Sequence, residues 1–346
     1  GEKVQVAFAI DLPEQAGEYS RFVSMVLAED TMWGSKGYEV AWGQEVCTVG
    51  TRESLKRRGA IEVIHGDVNI GVRTPAGFAL FSKAEGGIIS LVYGGREYIT
   101  RTPKLTYWRA STDNDRGMHT EHTCSQWLAA GMGQMHLGER FKLEEYSDRV
   151  KLTFVYRSGS VPAFETTVEY TVFADGVIEV SAAYPGAEDM AYLPAFGLEF
   201  KLKKNLNQLR WYGRGPEETY LDRRAGGRLG IFNSTAKDSM ADYLIPQECG
   251  NHTDVRWLDV TDQEGRGLHF GMKGQPMECS VLPYSAMELE NAMHLYELPR
   301  VNYTWVRILA GQTGVGGDDS WGAPVHEQYQ LKSQNPLTLT FTISPC

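Results

Sequence analysis

The chain has 346 residues, with 34 Lys plus Arg against 44 Asp plus Glu, a formal charge of −10. That balance argues against nucleic acid or an anionic membrane as the main partner, because both attract a net positive surface. Hydrophobic residues at 42% and aromatics at 11% exclude disorder for the chain as a whole, and 37 glycines among that many aromatics read as turn-rich β structure.

Three strand-like stretches come first: Val4 to Ile10, Tyr19 to Leu27 and Tyr38 to Cys47. A unit of under ~60 residues is small for a free-standing sandwich, so residues 1–50 read as part of a domain. The most basic stretch of the chain, Thr51 to Gly59, follows, and residues 51–60 read as a linker. From there residues 61–346 read as one large β domain. Ile88 to Tyr93 is a strand set between Gly86-Gly87 and Gly94-Gly95. About Thr120 to Ala130 is the best helical candidate, with Cys124, Trp127 and Leu128 on one face. Val150 to Tyr156 is again a strand. Val168, Tyr170 and Val172 then alternate with Thr167, Glu169 and Thr171. Asp175-Gly176 next marks a tight hairpin turn before Val177 to Val180. Leu198 to Leu202, Val255 to Val260, Val301 to Leu309 and Leu337 to Ile343 complete the series. The fold class expected is all-β: a large antiparallel sandwich preceded by a partial β unit.

Five cysteines, an odd number with no C-x-x-C pair, suggest neither a disulfide scaffold nor zinc or thiol redox chemistry. They fit a reducing compartment. No apolar run approaches the ~18 residues of a membrane span, and the first residues show no signal-peptide pattern. A chain beginning with Gly is expected to be a piece of a longer protein.

Three constellations could carry chemistry. In Trp108 to Gly117 (W-R-A-S-T-D-N-D-R-G), a calcium loop would need Gly at its sixth position, but Gly117 is fifth from Asp113. The stretch reads as a loop whose Asp and Asn cap their own backbone, or as the edge of a site. In Trp211 to Arg223, three carboxylates and two arginines crowd a Gly-Pro loop. Glu217 and Glu218 are adjacent and would diverge on a strand, which suits a loop tied by Arg–carboxylate pairs better than a glycosidase pair. In Gly314 to Gly322, Trp321 rides on a glycine-rich loop as either a core plug or an exposed platform for the C–H face of a sugar. The His119-Thr120-Glu121-His122 stretch lacks the i, i+4 spacing of two ligands on one helix face, so no metal site is expected.

Together these constellations resemble the C-terminal part of bacterial β-galactosidases of glycoside hydrolase family 2. The matching stretches are Trp108 to Gly117, Gly213 to Arg223 (G-R-G-P-E-E-T-Y-L-D-R), Pro246 to Trp257 (P-Q-E-C-G-N-H-T-D-V-R-W) and Gly314 to Trp321 (G-V-G-G-D-D-S-W), in family order. The resemblance implies that residues 61–346 are the small-chain domain, a supersandwich of the galactose mutarotase kind. It implies that residues 1–50 are part of an immunoglobulin-like domain, whose missing half would leave strand edges unpaired. It also implies a parent that hydrolyses terminal β-D-galactosides such as lactose with retention. The acid/base and nucleophile glutamates, with magnesium and sodium, would then lie on a TIM barrel outside this chain. No catalytic residue, cofactor or metal is therefore expected here.

What the resemblance leaves to the chain is the site's edge. Trp321 would be the stacking surface for the sugar or aglycone. Gly215, Pro216, Glu217, Glu218, Tyr220, Asp222 and Arg223 would form a loop that opens and closes, with Leu221 at a position that is often Pro. The partners implied are a galactoside, the rest of the polypeptide or a large subunit, and further copies in a homo-oligomer, in the cytoplasm. Two rival readings are a stand-alone carbohydrate-binding module and a mutarotase-type epimerase using Glu248 and His252.

Overall fold

The computed structural model describes residues 3–7, 9, 11, 13–50 and 59–346. The chain divides into two compact units, Gly1–Lys56 and Arg57–Cys346. In the first, β1 (Gly17–Val26) runs antiparallel to β2 (Glu39–Val49). Within this unit and among the described residues, the ribbon lacks a covering layer: Phe22, Val23, Met25, Val40 and Val46 are exposed. The strand expected over Val4 to Ile10 is not seen. Residues 4–7 and 9 are irregular, and Phe8 and Ile10 lie outside the described residues. Most of the basic stretch, Thr51 to Arg58, also lies outside them.

The second unit begins with an antiparallel meander of β3 (Glu62–His65), β4 (Asn69–Thr74), β5 (Gly77–Ser82), β6 (Gly87–Tyr93) and β7 (Arg96–Glu97). Then come β8 (Lys104–Thr106), the short helices α1 (Asp113–Gly117), α2 (Thr120–Thr123) and α3 (Ser125–Met132), β9 (Met135–His136), β10 (Lys142–Glu145), β11 (Arg149–Arg157), β12 (Glu165–Phe173) and β13 (Ile178–Tyr184). The remainder is β14 (Ala195–Lys203), β15 (Gln208–Gly215), β16 (Arg228–Thr235), β17 (Asn251–Val255), β18 (Trp257–Thr261), β19 (Gly267–Met272), β20 (Met277–Leu282), α4 (Ala286–Glu290), β21 (Tyr303–Gln312) and β22 (Leu337–Pro345). Among the described residues, β10-β11-β12-β13-β22-β19-β18-β15-β16, with β9 beside β11, form a ten-stranded sheet. A five-stranded sheet runs β17-β20-β21-β14-β8.

Period-two alternation makes the core. Val150, Val172, Ile178, Ile343, Phe270, Leu258 and Trp211 are successive cross-strand partners across seven strands of the large sheet. Each is no more than 2% exposed. Two smaller sheets cover this face. Phe81 of the meander packs on Phe154 and Tyr170, at 6.4 and 5.4 Å between rings. Phe200 of β14 packs on Phe270 and Phe341, at 5.3 and 6.1 Å. The protein is thus all-β, a layered antiparallel sandwich. Strands that each carry one apolar face, with too few helices to cover it, bury those faces by packing sheet on sheet. Among the described residues, no helix is long and apolar enough to cross a membrane.

Two expected elements break. The helix over Thr120 to Ala130 is interrupted: α2 ends at Thr123 and α3 starts at Ser125, with His119 in the left-handed region at φ 57°. Its apolar face is nonetheless the one foreseen. Cys124 and Trp127 are fully buried and Leu128 packs partly against the core. The strand expected over Val255 to Val260 is two strands in different sheets. Val255 pairs with Met277, whereas Trp257 pairs with Gly271. The polypeptide changes layer at Arg256, just after Asp254 with φ 54°, a turn that alternation alone cannot register.

Candidate functional site

Trp321 stands on an irregular loop and is 76% exposed. Its backbone is fixed from several sides. Asp319 Oδ1 accepts hydrogen bonds from the amides of Trp321, Gly322 and Ala323, at 3.0, 3.0 and 2.8 Å. Those donors favour the ionised form and hold the carboxyl below its ordinary range. Asn114 Nδ2 donates to the Asp319 and Ala323 carbonyls at 2.8 and 3.1 Å. Gly117 lies so close that a Cβ there would come within 2.0 Å of the Trp321 carbonyl oxygen, so only glycine permits the approach. At the loop's root, the buried Arg109 guanidinium grips both oxygens of Asp115 at 3.1 Å. It also donates to the Thr313 and Gly314 carbonyls. Burial works against the Arg109 charge, but Asp115 more than offsets it, so its pKa is raised.

The W-R-A-S-T-D-N-D-R-G stretch, expected as a loop capping its own backbone, is therefore partly helix. Thr112 caps α1 through a capping box with Asp115. Helix geometry is what lets Asn114 and Gly117 reach the Trp321 loop together.

The loop from Gly215 to Arg223 meets the same platform. Asp222 accepts from Val315 N at 2.9 Å and Gly316 N at 2.8 Å. Glu218 accepts from Gly250 N at 2.8 Å, from the Tyr243 hydroxyl at 2.5 Å and from Arg223 at 3.3 Å. Thr219 N donates to Asn251 O at 2.7 Å, and Tyr220 is buried. Gly215 is buried, while Pro216, Glu217 and Arg223 are exposed and Leu221 is half-buried. Glu218 is committed to holding the loop, and the expected Arg–carboxylate tie is the Arg223–Glu218 pair.

Beneath lies the Pro246 to Trp257 stretch. Arg116 donates to Pro246 O at 2.8 Å, and Gln247 exchanges hydrogen bonds with Asp113. Glu248 is buried against Arg307 at 2.8 Å and Gln312 at 3.2 Å. Glu278 accepts from Asn251 at 2.9 Å, and burial raises its carboxyl to about 7. His252 stacks on Trp211 with ring centroids 4.0 Å apart, and burial lowers its imidazole to about 4. Glu248 and His252 are 3% and 4% exposed. The acid–base pair weighed for an epimerase is thus interior, and its carboxylate is already consumed by Arg307.

His119, Glu121 and His122, set aside on helix spacing, come together because the chain turns at His119. Their ligand atoms lie within 4.8 Å of one another, all exposed. Glu121 Oε1 sits 3.3 Å from His119 Nδ1 and 3.8 Å from His122 Nε2. The five cysteines are free.

Spacing within each stretch missed the platform's anchors: Arg109, Asn114, Gly117 and Asp319. The one local Asx signal was at Asp319, followed by the small Ser320. The carbonyl partners of Arg109 and Asn114 lie some 200 residues away in the chain.

Against known proteins, the family described as "Beta galactosidase small chain" matches residues 76–343. The chain is 42% identical over 334 residues to the β-galactosidase of Halalkalibacterium halodurans, covering 95% of this chain and 33% of that protein. It is 36% identical over 312 residues to the β-galactosidase small subunit of Latilactobacillus sakei, covering 82% of this chain and 98% of that one. The chain thus spans about a third of the length of most full β-galactosidases it matches. A solved Escherichia coli structure titled as a putative aldose 1-epimerase is 10% identical with a TM-score of 0.41, covering 84% of this chain and 99% of that one. So loose a likeness carries neither fold nor function. What does carry is a family match over most of the chain and relatives above 35% identity: the chain belongs to the β-galactosidase small-chain family.

Proposed function

We propose that this chain is the sugar-facing, non-catalytic component of a family 2 β-galactosidase that hydrolyses terminal β-D-galactosides, lactose among them, with retention. In this reading residues 61–346 are the small-chain domain, and residues 1–50 are part of an immunoglobulin-like domain joined through 51–60. The glutamates and metal ions that perform the hydrolysis belong to polypeptide outside this chain. The chain lends the Trp321 indole and the loop from Gly215 to Arg223. One observation supports this most. Trp321 is a large apolar side chain held out into solvent by a backbone that two other motifs immobilise, the Trp108 to Gly117 stretch through Arg109, Asn114 and Gly117 and the Gly215 to Arg223 loop through Asp222, an arrangement without benefit to the chain's own core. A flat, preorganised indole adds contact area to a sugar ring at little entropic cost. Closure of the neighbouring loop would exclude water and position substrate.

The test is Trp321→Ala in the complete enzyme. Substrate binding should weaken by about 1–3 kcal/mol, the scale of one well-packed aromatic contact, with the melting temperature unchanged because the side chain is exposed. Unchanged kcat and KM would remove Trp321 from the site. The exposed indole also favours a second reading, a stand-alone carbohydrate-binding module. Micromolar binding of galactose or lactose at Trp321 by this chain alone would favour it. Turnover of a chromogenic galactoside by the chain alone would overturn the division of labour.

A further inference from the structure

Among the described residues, one group of metal-ligating side chains comes together: His119, Glu121 and His122, with ligand atoms within 4.8 Å of one another. Its place is α2, whose inner side is fixed. Thr120 is 3% exposed, with its hydroxyl 3.4 Å from that of Tyr192, and Cys124 beyond it is fully buried. The other side faces solvent. The side chains of His119, Glu121 and His122 are 73%, 43% and 80% exposed.

In a regular helix residues i and i+3 are neighbours, while i+2 turns away from i. His119 escapes that rule because it precedes the helix in the left-handed region, uncommon for a residue other than glycine. The turn brings Glu121 to the same side as both imidazoles, whose centroids lie 6.0 Å apart. Contacts within the group do not use up its ligand atoms. Glu121 Oε1 is 3.3 Å from His119 Nδ1, long for a charge-assisted hydrogen bond, and at 3.8 Å from His122 Nε2 it makes none. The spacing is that of ligands around one ion. With metal–ligand bonds of about 2.0–2.2 Å, two ligands on a tetrahedral ion sit about 3.4 Å apart. The His119–Glu121 separation already matches. The others, none above 4.8 Å, close by rotation of exposed side chains between staggered wells.

The donor set selects the ion. Two imidazoles and one carboxylate suit zinc, nickel and copper, whereas calcium and magnesium want oxygen ligands. Exposure leaves the fourth position to water. The chain's formal charge of −10 adds a general attraction for a cation. We propose that His119, Glu121 and His122 form a surface binding site for one divalent transition-metal ion of the zinc class. This inference does not rest on the role proposed for Trp321.

The experiment is calorimetric titration of the chelator-treated chain with Zn2+, with electron paramagnetic resonance of the Cu2+-loaded chain beside it. One equivalent of Zn2+ should bind with Kd on the order of 1–100 μM, and the Cu2+ spectrum should carry nitrogen coupling from both imidazoles. His122→Ala, and His119→Gly, which keeps the left-handed turn, should each weaken Zn2+ binding by about tenfold or more and leave coupling from one imidazole. Their metal-free melting temperatures should match wild type, because both side chains are exposed, so lost binding is distinguishable from lost fold. His294→Ala, which removes an imidazole paired with Glu297 at 3.0 Å, should leave binding unchanged. So should Cys346→Ser, which removes an exposed thiol, and Trp321→Ala. The proposal is overturned if Zn2+ binds more weakly than millimolar, or if either His119→Gly or His122→Ala keeps the wild-type affinity. Neither result bears on Trp321, so the two readings fail separately.

Discussion

The loop bearing Trp321 and the loop from Gly215 to Arg223 read alike in sequence: irregular, acidic, each with an aromatic. The structure holds them differently. The Trp321 loop is gripped through its backbone by a buried guanidinium, a buried amide and a glycine contact. The other is tied through its own side chains, Asp222 and Glu218, above a buried layer containing Glu278. Backbone anchoring frees the side chain to face outward, as Trp321 does. Anchoring through side chains spends them on the fold and leaves the loop dependent on their charge.

The comparison breaks most sharply at Arg109. Arg109→Met should cost about 3–5 kcal/mol, the range for leaving a buried charge unpaired, here Asp115. Chemical denaturation would measure it, and a loss under 1 kcal/mol would deny the guanidinium its anchoring role.

Next comes Glu278. Its carboxyl is raised from 4.5 to about 7 by burial, so the folded state holds the proton longer than the unfolded chain. Its contribution is fully present below pH 4.5 and is lost as pH rises to about 7, then levels off. Glu278→Gln should escape that loss. The variant's stability relative to wild type should climb by ~3 kcal/mol across the window, read as melting temperature against pH. A flat difference would place the titration elsewhere.

The smallest effect is expected at Asp222. Asp222→Ala removes the acceptor of the Val315 and Gly316 amides and should cost about 1–2 kcal/mol. Hydrogen exchange should quicken at those two amides while the Trp321, Gly322 and Ala323 amides, capped by Asp319, stay protected. Equal quickening at all five would mean the two loops are one unit.

Much of the strand framework was legible because one physical rule, an apolar face every second residue, acts within five to ten residues. The hairpin at Asp175-Gly176 is such a case: Gly176 takes φ 86° between β12 and β13. The rule failed where layers change, at Val255 to Trp257, and in the first unit. There the apolar residues of β1 and β2 come in adjacent runs, and Phe22, Val23, Met25, Val40 and Val46 stay exposed. Alternation states which face is apolar, and cannot state whether another layer arrives to cover it.

For the candidate site, the sequence determined that four motifs occur in order as local strings, and that an indole sits where glycines forbid regular structure. Only the tertiary structure decided that this indole faces outward, that Arg109, Asn114 and Asp222 converge on its loop, and that Glu248 and His252 are interior. The reason is distance along the chain. Hydrogen bonds and desolvation act over a few ångströms, and the residues that close those gaps come from segments some 60 to 200 positions apart, which no local pattern records.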